Sequence, residues 1–367
     1  MKKTIIFSGL IITFLTYIFY SYNSSKVIKI GLVAGLSGKY SSLGTDVRNG
    51  TVLAFEDINY RIDNTQFELI QKDDKQNKNE AKKVIEEFIQ DDIKVVIGNS
   101  TSSMTKVSLE SIKKENDMML ISATASSDDF SFKNDNFIRT QVANNYRKFQ
   151  SLSLYAKEKN YGNILSIYDP NNMSYSKGYM SNFQKAYVKN GGKPFLDSIE
   201  ITQSYENIKD KINAQEVDTL LIIANSIDSA KLIQYLKING INKIILCAGW
   251  AQTMDFIEEG GKAVEGVLFN TGYNSNSQEE KYLRFVVQYE NKYNKKPSVF
   301  AAQAYETANI LIETLRMDNN VLNLKTNILD KKNFKGLQGN ITFDKYGDVN
   351  RKFFMMSVQD GQYKKVN

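Results

Sequence analysis

The sequence predicts an α/β protein: two similar lobes, each a doubly wound parallel sheet covered by helices. Two observations carry this. Short apolar, β-branched runs alternate with helix-period segments along most of the chain, and alternating β and α units build parallel sheets. The alternation also starts afresh after Phe137-Ile138-Arg139-Thr140, so there are two series. A length of 367 residues accommodates two domains of ordinary size, and 42% hydrophobic with 24% charged residues describes a globular chain.

Lys2 and Lys3 precede an apolar run from Ile5 to about Tyr22. A basic start before such a run reads as a secretory signal or signal-anchor. With no small-x-small cleavage site obvious, residues 1–25 are expected to be an uncleaved anchor. Val27 to Val33 is a strand. The glycine-rich loop Ala34 to Gly44 follows, then a helix from Asp46 to Asn59, a strand at Phe67 to Ile70, and an amphipathic helix from Glu80 to Gln90. The loop is no Walker motif, because Val33 stands where the first glycine belongs and Tyr40 follows Lys39. Gly31, Gly35 and Gly38 also miss the dinucleotide spacing.

The stretch Val95 to Ser127 organises the first series. Val95-Val96-Ile97 ends at Gly98 and runs into Asn99, Ser100, Thr101, Ser102 and Ser103. A helix-like segment with apolar Val107, Leu109 and Ile112 leads to a second run, Met118 to Ile121. That run ends in Ser122-Ala123-Thr124-Ala125-Ser126-Ser127. Both hydroxyl-rich loops lie at carboxyl ends of parallel strands, where open α/β sheets bind ligands. Helix N-termini there offer free N–H groups to an anion, although Ser and Thr also serve as ordinary helix caps.

In the second series, Tyr146 to Lys159 is a helix and Asn163 to Tyr168 a strand. The loop Asp169 to Ser176 leads to a helix from Lys177 to Asn190. Leu196 to Ile201, Thr219 to Ala224 and Lys243 to Cys247 are strands, separated by helices at Tyr205 to Ala214 and Asp228 to Ile238. Asn225 and the Trp250 loop (Ala248 to Thr253) follow two of these strands. The tail holds a strand at Gly266 to Phe269 and helices at Glu279 to Tyr293 and Phe300 to Arg316. Strands at Gly339 to Phe343 and Lys352 to Gln359 end it.

The counts exclude much chemistry. With no histidine and one cysteine there is no Ser-His-Asp or Cys-His arrangement, no His-based metal site and no zinc cluster. No disulfide can form within the chain, and Cys247 after Ile244-Ile245-Leu246 reads as a buried thiol. The net charge of +6 comes from interspersed lysines without basic runs, which argues against a nucleic-acid partner. No cofactor is expected. Carboxylates alone do glycosidase chemistry, but no pair is marked out, so an enzyme is not expected.

Six stretches resemble type I periplasmic binding proteins of the branched-chain amino acid (Leu/Ile/Val) group, the substrate-binding receptors of ABC importers. They are Ile28 to Gly44, Val95 to Ser103 with Leu120 to Ser126, Tyr168 to Gly178, Gly249 to Gly266, Phe300 to Leu311 and Gly336 to Asp348. The resemblance implies two Rossmann-like lobes joined by three crossings, near Thr140 to Asn144, Asn270 to Tyr273 and Leu337 to Asn340. Lobe 1 would comprise residues 26–141 with 272–338, and lobe 2 residues 142–271 with 339–367. It also implies a small-molecule ligand, an amino acid or carboxylate, in the cleft, and a membrane permease as partner.

The family's carboxylate-binding serine matches Ser102, in the loop with Thr101. Its second ligand loop matches Thr124, Ala125 and Ser126, and a pocket tyrosine matches Tyr175. Two departures stand out. Trp250 falls where the acidic residue that receives a ligand ammonium stands, and Leu43 falls at an aromatic position of the first loop. Either Asp169 or Asp228 takes over the missing carboxylate, or the ligand is a carboxylate without an amine or another small polar molecule lying against Trp250. A membrane-anchored sensor ectodomain signalling through a partner is the rival to an importer receptor.

Overall fold

The computed structural model describes residues 26–115 and 117–366; the expected N-terminal anchor lies outside them. Among the described residues no helix is long and apolar enough to cross a membrane.

The first series folds as β1 (Lys26–Ala34), α1 (Ser41–Glu56), β2 (Arg61–Ile62), β3 (Thr65–Asp73), α2 (Lys78–Gln90), β4 (Val95–Gly98), α3 (Ser102–Ser111), β5 (Met119–Ser122) and β6 (Phe137–Arg139). Its sheet has the order β2-β3-β1-β4-β5-β6, parallel except for the short β2. Strand periodicity sorts its side chains: Val95 and Ile97 enter one core cluster with Ile28 and Ile30, and Val96 enters the opposite one with Val33 and Leu120. Because β1 lies between β3 and β4, the chain reverses its winding direction there, and this reversal opens a crevice at the strands' carboxyl ends.

The second series comprises α4 (Tyr146–Glu158), β7 (Ile164–Tyr168), α5 (Met173–Lys189), β8 (Ser198–Glu200), α6 (Tyr205–Asn213), β9 (Thr219–Ile223), α7 (Ser226–Ile238), β10 (Ile244–Cys247), α8 (Met254–Gly260) and β11 (Leu268–Thr271). Its strands order as β8-β7-β9-β10-β11, again with a reversal, between β7 and β9. Helix α5 begins earlier than the expected Lys177, at Met173, after a single turn at Pro170–Asn172. Tyr175 therefore sits on a helix rather than in a loop.

Helices α9 (Glu280–Tyr293) and α10 (Val299–Met317) return to the first lobe. There α10 lies so close to α1 that a Cβ on Gly50 would stand 2.0 Å from the Ala301 carbonyl oxygen. After α11 (Leu324–Lys331), the strands β12 (Asn333–Lys335), β13 (Asn340–Phe343) and β14 (Val349–Asn350) form a small antiparallel sheet. Phe334, Ile341, Phe343 and Val349 join the core cluster of Ile28, Ile30 and Phe55. The chain reaches the second sheet only at β15 (Phe354–Gln359), which pairs antiparallel with β11 and then with β16 (Gln362–Lys365). Apolar burial thus ties residues 339–350 to the first sheet, later than the expected crossing at Leu337 to Asn340. We propose the division 26–141 with 272–350 and 142–271 with 351–366.

Candidate functional site

The crevices of the two sheets face each other and form one cleft. Its walls are mostly strand carboxyl ends: Ser100 to Ser102 after β4, Thr124 and Ser126 after β5, Gln141 after β6, and Asn172 and Tyr175 after β7. Gly249 and Trp250 follow β10, and Asn270 to Gly272 end β11. First turns of helices supply Leu43, Lys148, Val299 and Phe300, and Phe353 comes from the approach to β15.

The loop after β4 leaves the sheet through Gly98, at φ 142° and where a Cβ would stand 2.1 Å from the Val33 carbonyl oxygen, a conformation that requires glycine. Thr101 stands at the cap position of α3 but its hydroxyl donates to Gln76 Oε1 at 2.8 Å, so it does not cap the helix. The Ser102 Oγ accepts the main-chain N–H groups of Ser126 and Ser127, both at 3.1 Å. With both lone pairs engaged, its own O–H remains as a donor. The Thr124 hydroxyl donates to the Ser100 carbonyl at 2.7 Å, so the two hydroxyl loops are bonded into one wall.

Six of the eight residues singled out in the sequence line the cleft: Thr101, Ser102, Thr124, Ser126, Tyr175 and Trp250. Two are not brought there. Ala125 packs into the core behind the loop, with Phe130 and Phe137. Asn225 caps α7: its Oδ1 accepts the Asp228 N–H at 3.0 Å, and its Nδ2 donates to the Asp228 carboxylate at 2.7 Å. This is the capping alternative that a polar residue before a helix always offers.

Trp250 stacks on Tyr40 with ring centroids 6.1 Å apart and planes within 7°, and meets Tyr175 edge-on at 5.7 Å. Burial raises the Tyr175 hydroxyl above its ordinary range, so it acts as a neutral group. The two carboxylates considered as stand-ins for the missing acid are engaged elsewhere. Asp169 accepts from the Tyr40 hydroxyl at 3.0 Å and from Asn171, and Asp228 pairs with Lys39 at 2.7 Å. Neither lines the cleft.

Sequence reasoning missed Gln141, Asn172, Asn270, Phe300 and above all Lys148. Lys148 is 6% exposed, and its Nζ donates to Asn144 Oδ1 at 2.7 Å. It lies 5.6–5.8 Å from the ring centroids of Tyr179, Phe149 and Phe353. Burial, helped by the nearby Arg139 guanidinium, lowers its ammonium from 10.5 to about 7. A signal existed: Lys148 stands four residues before Leu152 and eight before Ala156, on the buried stripe of α4.

Contacts between the lobes flank the cleft. Ser42 donates to Thr253 Oγ1 at 2.8 Å, the Ser103 N–H to Asn172 Oδ1 at 3.0 Å, and Asn182 Nδ2 to Asp128 at 2.7 Å. With the Tyr40–Asp169 and Lys39–Asp228 pairs, these hold the lobes together over the cleft.

The profile of the periplasmic binding protein family matches residues 27–362. A Leu/Ile/Val-binding protein of Rhizobium johnstonii is 22% identical over 339 residues, spanning 90% of each chain. A Leu/Ile/Val-binding protein homologue of Brucella melitensis is 20% identical over 336 residues, 89% of this chain and 90% of that one. Among solved structures, the branched-chain amino acid transporter substrate binding protein of Streptococcus pneumoniae, in complex with isoleucine, superposes with a TM-score of 0.83. It is 24% identical, over 93% of this chain and 99% of that one. An R. palustris solute binding protein in complex with benzoate superposes with a TM-score of 0.84 at 17% identity, over 93% and 95%. These structural likenesses establish the two-lobed fold.

Proposed function

Since this chain belongs to the periplasmic binding protein family, we propose that it is an extracytoplasmic solute receptor of an ABC importer. It takes a small carboxylate or amino-acid-like ligand into the cleft and passes the closed, loaded form to a membrane permease. It binds rather than catalyses. The relatives named for Leu/Ile/Val binding, and the solved neighbours holding isoleucine or benzoate, share a carboxylate as the common feature of their named ligands.

One observation carries the reading. The wall at the start of α3 leaves the Ser102 O–H unspent beside the helix N-terminus, in a cleft whose opposite wall is Tyr175 and Trp250. A carboxylate there receives charge-assisted hydrogen bonds and the favourable end of the helix dipole. Contacts such as Ser42–Thr253 and Ser103–Asn172 exist only when the lobes meet, so a ligand touching both walls shifts the protein toward closure.

Calorimetry with small carboxylates and amino acids tests this. The double variant Ser102→Ala with Ser126→Ala should weaken binding by about 2–5 kcal/mol, the worth of charge-assisted bonds to a buried carboxylate. Affinity unchanged in the double variant would remove Ser102 and Ser126 from the site.

A further inference from the structure

The cleft lining contains no aspartate and no glutamate; among the described residues that line it, Lys148 alone carries a charge. The carboxylates of Asp169 and Asp228 lie outside that lining and have other partners. The neighbouring cation, Arg139, spends itself on Asp348 at 2.6 Å, on the Ser127 carbonyl and on Ser131. The Lys148 ammonium has three donors, and one described acceptor, Asn144 Oδ1. Beside it the Asn144 Nδ2 is a buried donor without a partner. The Asn144 N–H bonds the Ser126 carbonyl at 2.6 Å, so these donors adjoin the hydroxyl wall.

On the receptor reading above, we propose that the ligand is an amine-free carboxylate, a net anion whose charge is met by the Lys148 ammonium, and that zwitterionic α-amino acids are discriminated against. The argument is charge balance inside a cleft closed by contacts between the lobes. An amine-free acid brings one negative charge to one positive charge. A zwitterion brings its ammonium as well, leaving an excess positive charge and no carboxylate to receive it. Asn270 Oδ1, buried at the cleft without a partner, is free to accept from an ammonium but supplies no charge. Uncompensated buried charge is among the costliest states a site can hold. Trp250, held by stacking on Tyr40, lines the cleft with ring surface rather than a carboxylate, which suits a hydrocarbon or aromatic ligand body.

The groups facing Lys148 are Asn144 from the first crossing, Tyr179 from α5, Phe353 from the last, and the Arg139 charge from β6. None is an anion, so the ligand's carboxylate is the charge that restores the ammonium toward its ordinary range. Binding near neutral pH therefore takes up a proton.

The test is calorimetry on purified full-length protein at a pH just below 7, in buffers of different ionisation enthalpy. Leucine and phenylalanine are set against isocaproate and hydrocinnamate, their deaminated counterparts, with benzoate as a compact probe. The acids should bind about tenfold or more tighter than the amino acids, with proton uptake, and Lys148→Met should weaken them about 10- to 100-fold, the loss of one charge-assisted bond. Circular dichroism checks that the variant is folded, and the wild-type preference decides the matter without it. Tighter binding of leucine or phenylalanine, or acid affinity unchanged in a folded Lys148→Met, overturns the charge assignment and leaves the receptor reading standing. Absence of binding by all five probes overturns both.

Discussion

Lys148→Met is expected to stabilise the unliganded protein at about pH 6, because the fold carries a desolvated ammonium that methionine does not. The side chain is buried, and its ammonium is lowered from 10.5 to about 7. At about 1.4 kcal/mol per pH unit, that displacement sets a ceiling of about 5 kcal/mol. Below about pH 7 the lysine is protonated in both folded and unfolded chains, so the whole penalty weighs on the fold. Between about 7 and 10.5 the unfolded chain binds more protons than the folded one, so wild-type stability rises with pH through that window. Above it both forms are neutral and the penalty is gone. Methionine is of similar length but forfeits the Asn144 bond and the ring contacts, so the expected net gain is about 1–3 kcal/mol. For about 340 residues unfolding together, that is a rise of about 1–4 °C in Tm. Urea and thermal melts of both proteins from about pH 5 to 10 measure it. A variant less stable than wild type at pH ~6, or a difference that does not shrink as pH rises, would refute the desolvation argument. Because the same substitution removes the cleft's cation, higher stability and weaker anion binding should appear together, the usual conflict between a functional charge and the core that holds it.

Two further predictions concern packing, one between the lobes and one within the first. Glu306 and Arg351, 1% and 6% exposed, form an ion pair at 2.6 Å, and Glu306 also accepts the Leu337 N–H. Arg351→Met should cost about 3–5 kcal/mol in denaturant melts, and adding Glu306→Gln should recover most of it, because the penalty is a stranded charge rather than lost attraction. Gly50→Ala should cost about 1–3 kcal/mol in thermal melts by driving α1 from α10, since the new methyl would meet the Ala301 carbonyl rather than a movable side chain. Ligand affinity should fall with it, because those helices begin at the cleft with Leu43 and Phe300.

The two-series α/β plan was legible because strands buried on both faces are continuous apolar runs, and because helix and strand periods differ. Val95 to Ser127 shows both effects, and its hydroxyl loops fall in the cleft as strand ends must. Elements too short to establish a period escaped: β2, β12, β14 and β16 have two to four residues each. Local sequence also could not separate Asn225, whose amide is consumed by its own helix, from Thr101, whose hydroxyl turns to Gln76 instead. Both are polar residues before helices, and only the neighbours packed against them differ. The same holds for charge. Trp250 at an acid's position was visible by resemblance, yet whether Asp169 or Asp228 compensates is a question of distance, and Tyr40 and Lys39 answer it.

By itself, then, the sequence determined the layered architecture, the strand ends that line the cleft and the lack of any histidine, because these depend on periodicity and residue inventory. Only the tertiary structure decided where residues 339–350 pack, which polar groups are already spent, and that one lysine among many is turned inward. Those outcomes depend on burial and pairing between segments far apart in the chain, and a lysine's chemistry is set by the groups that surround it rather than by its place in the sequence.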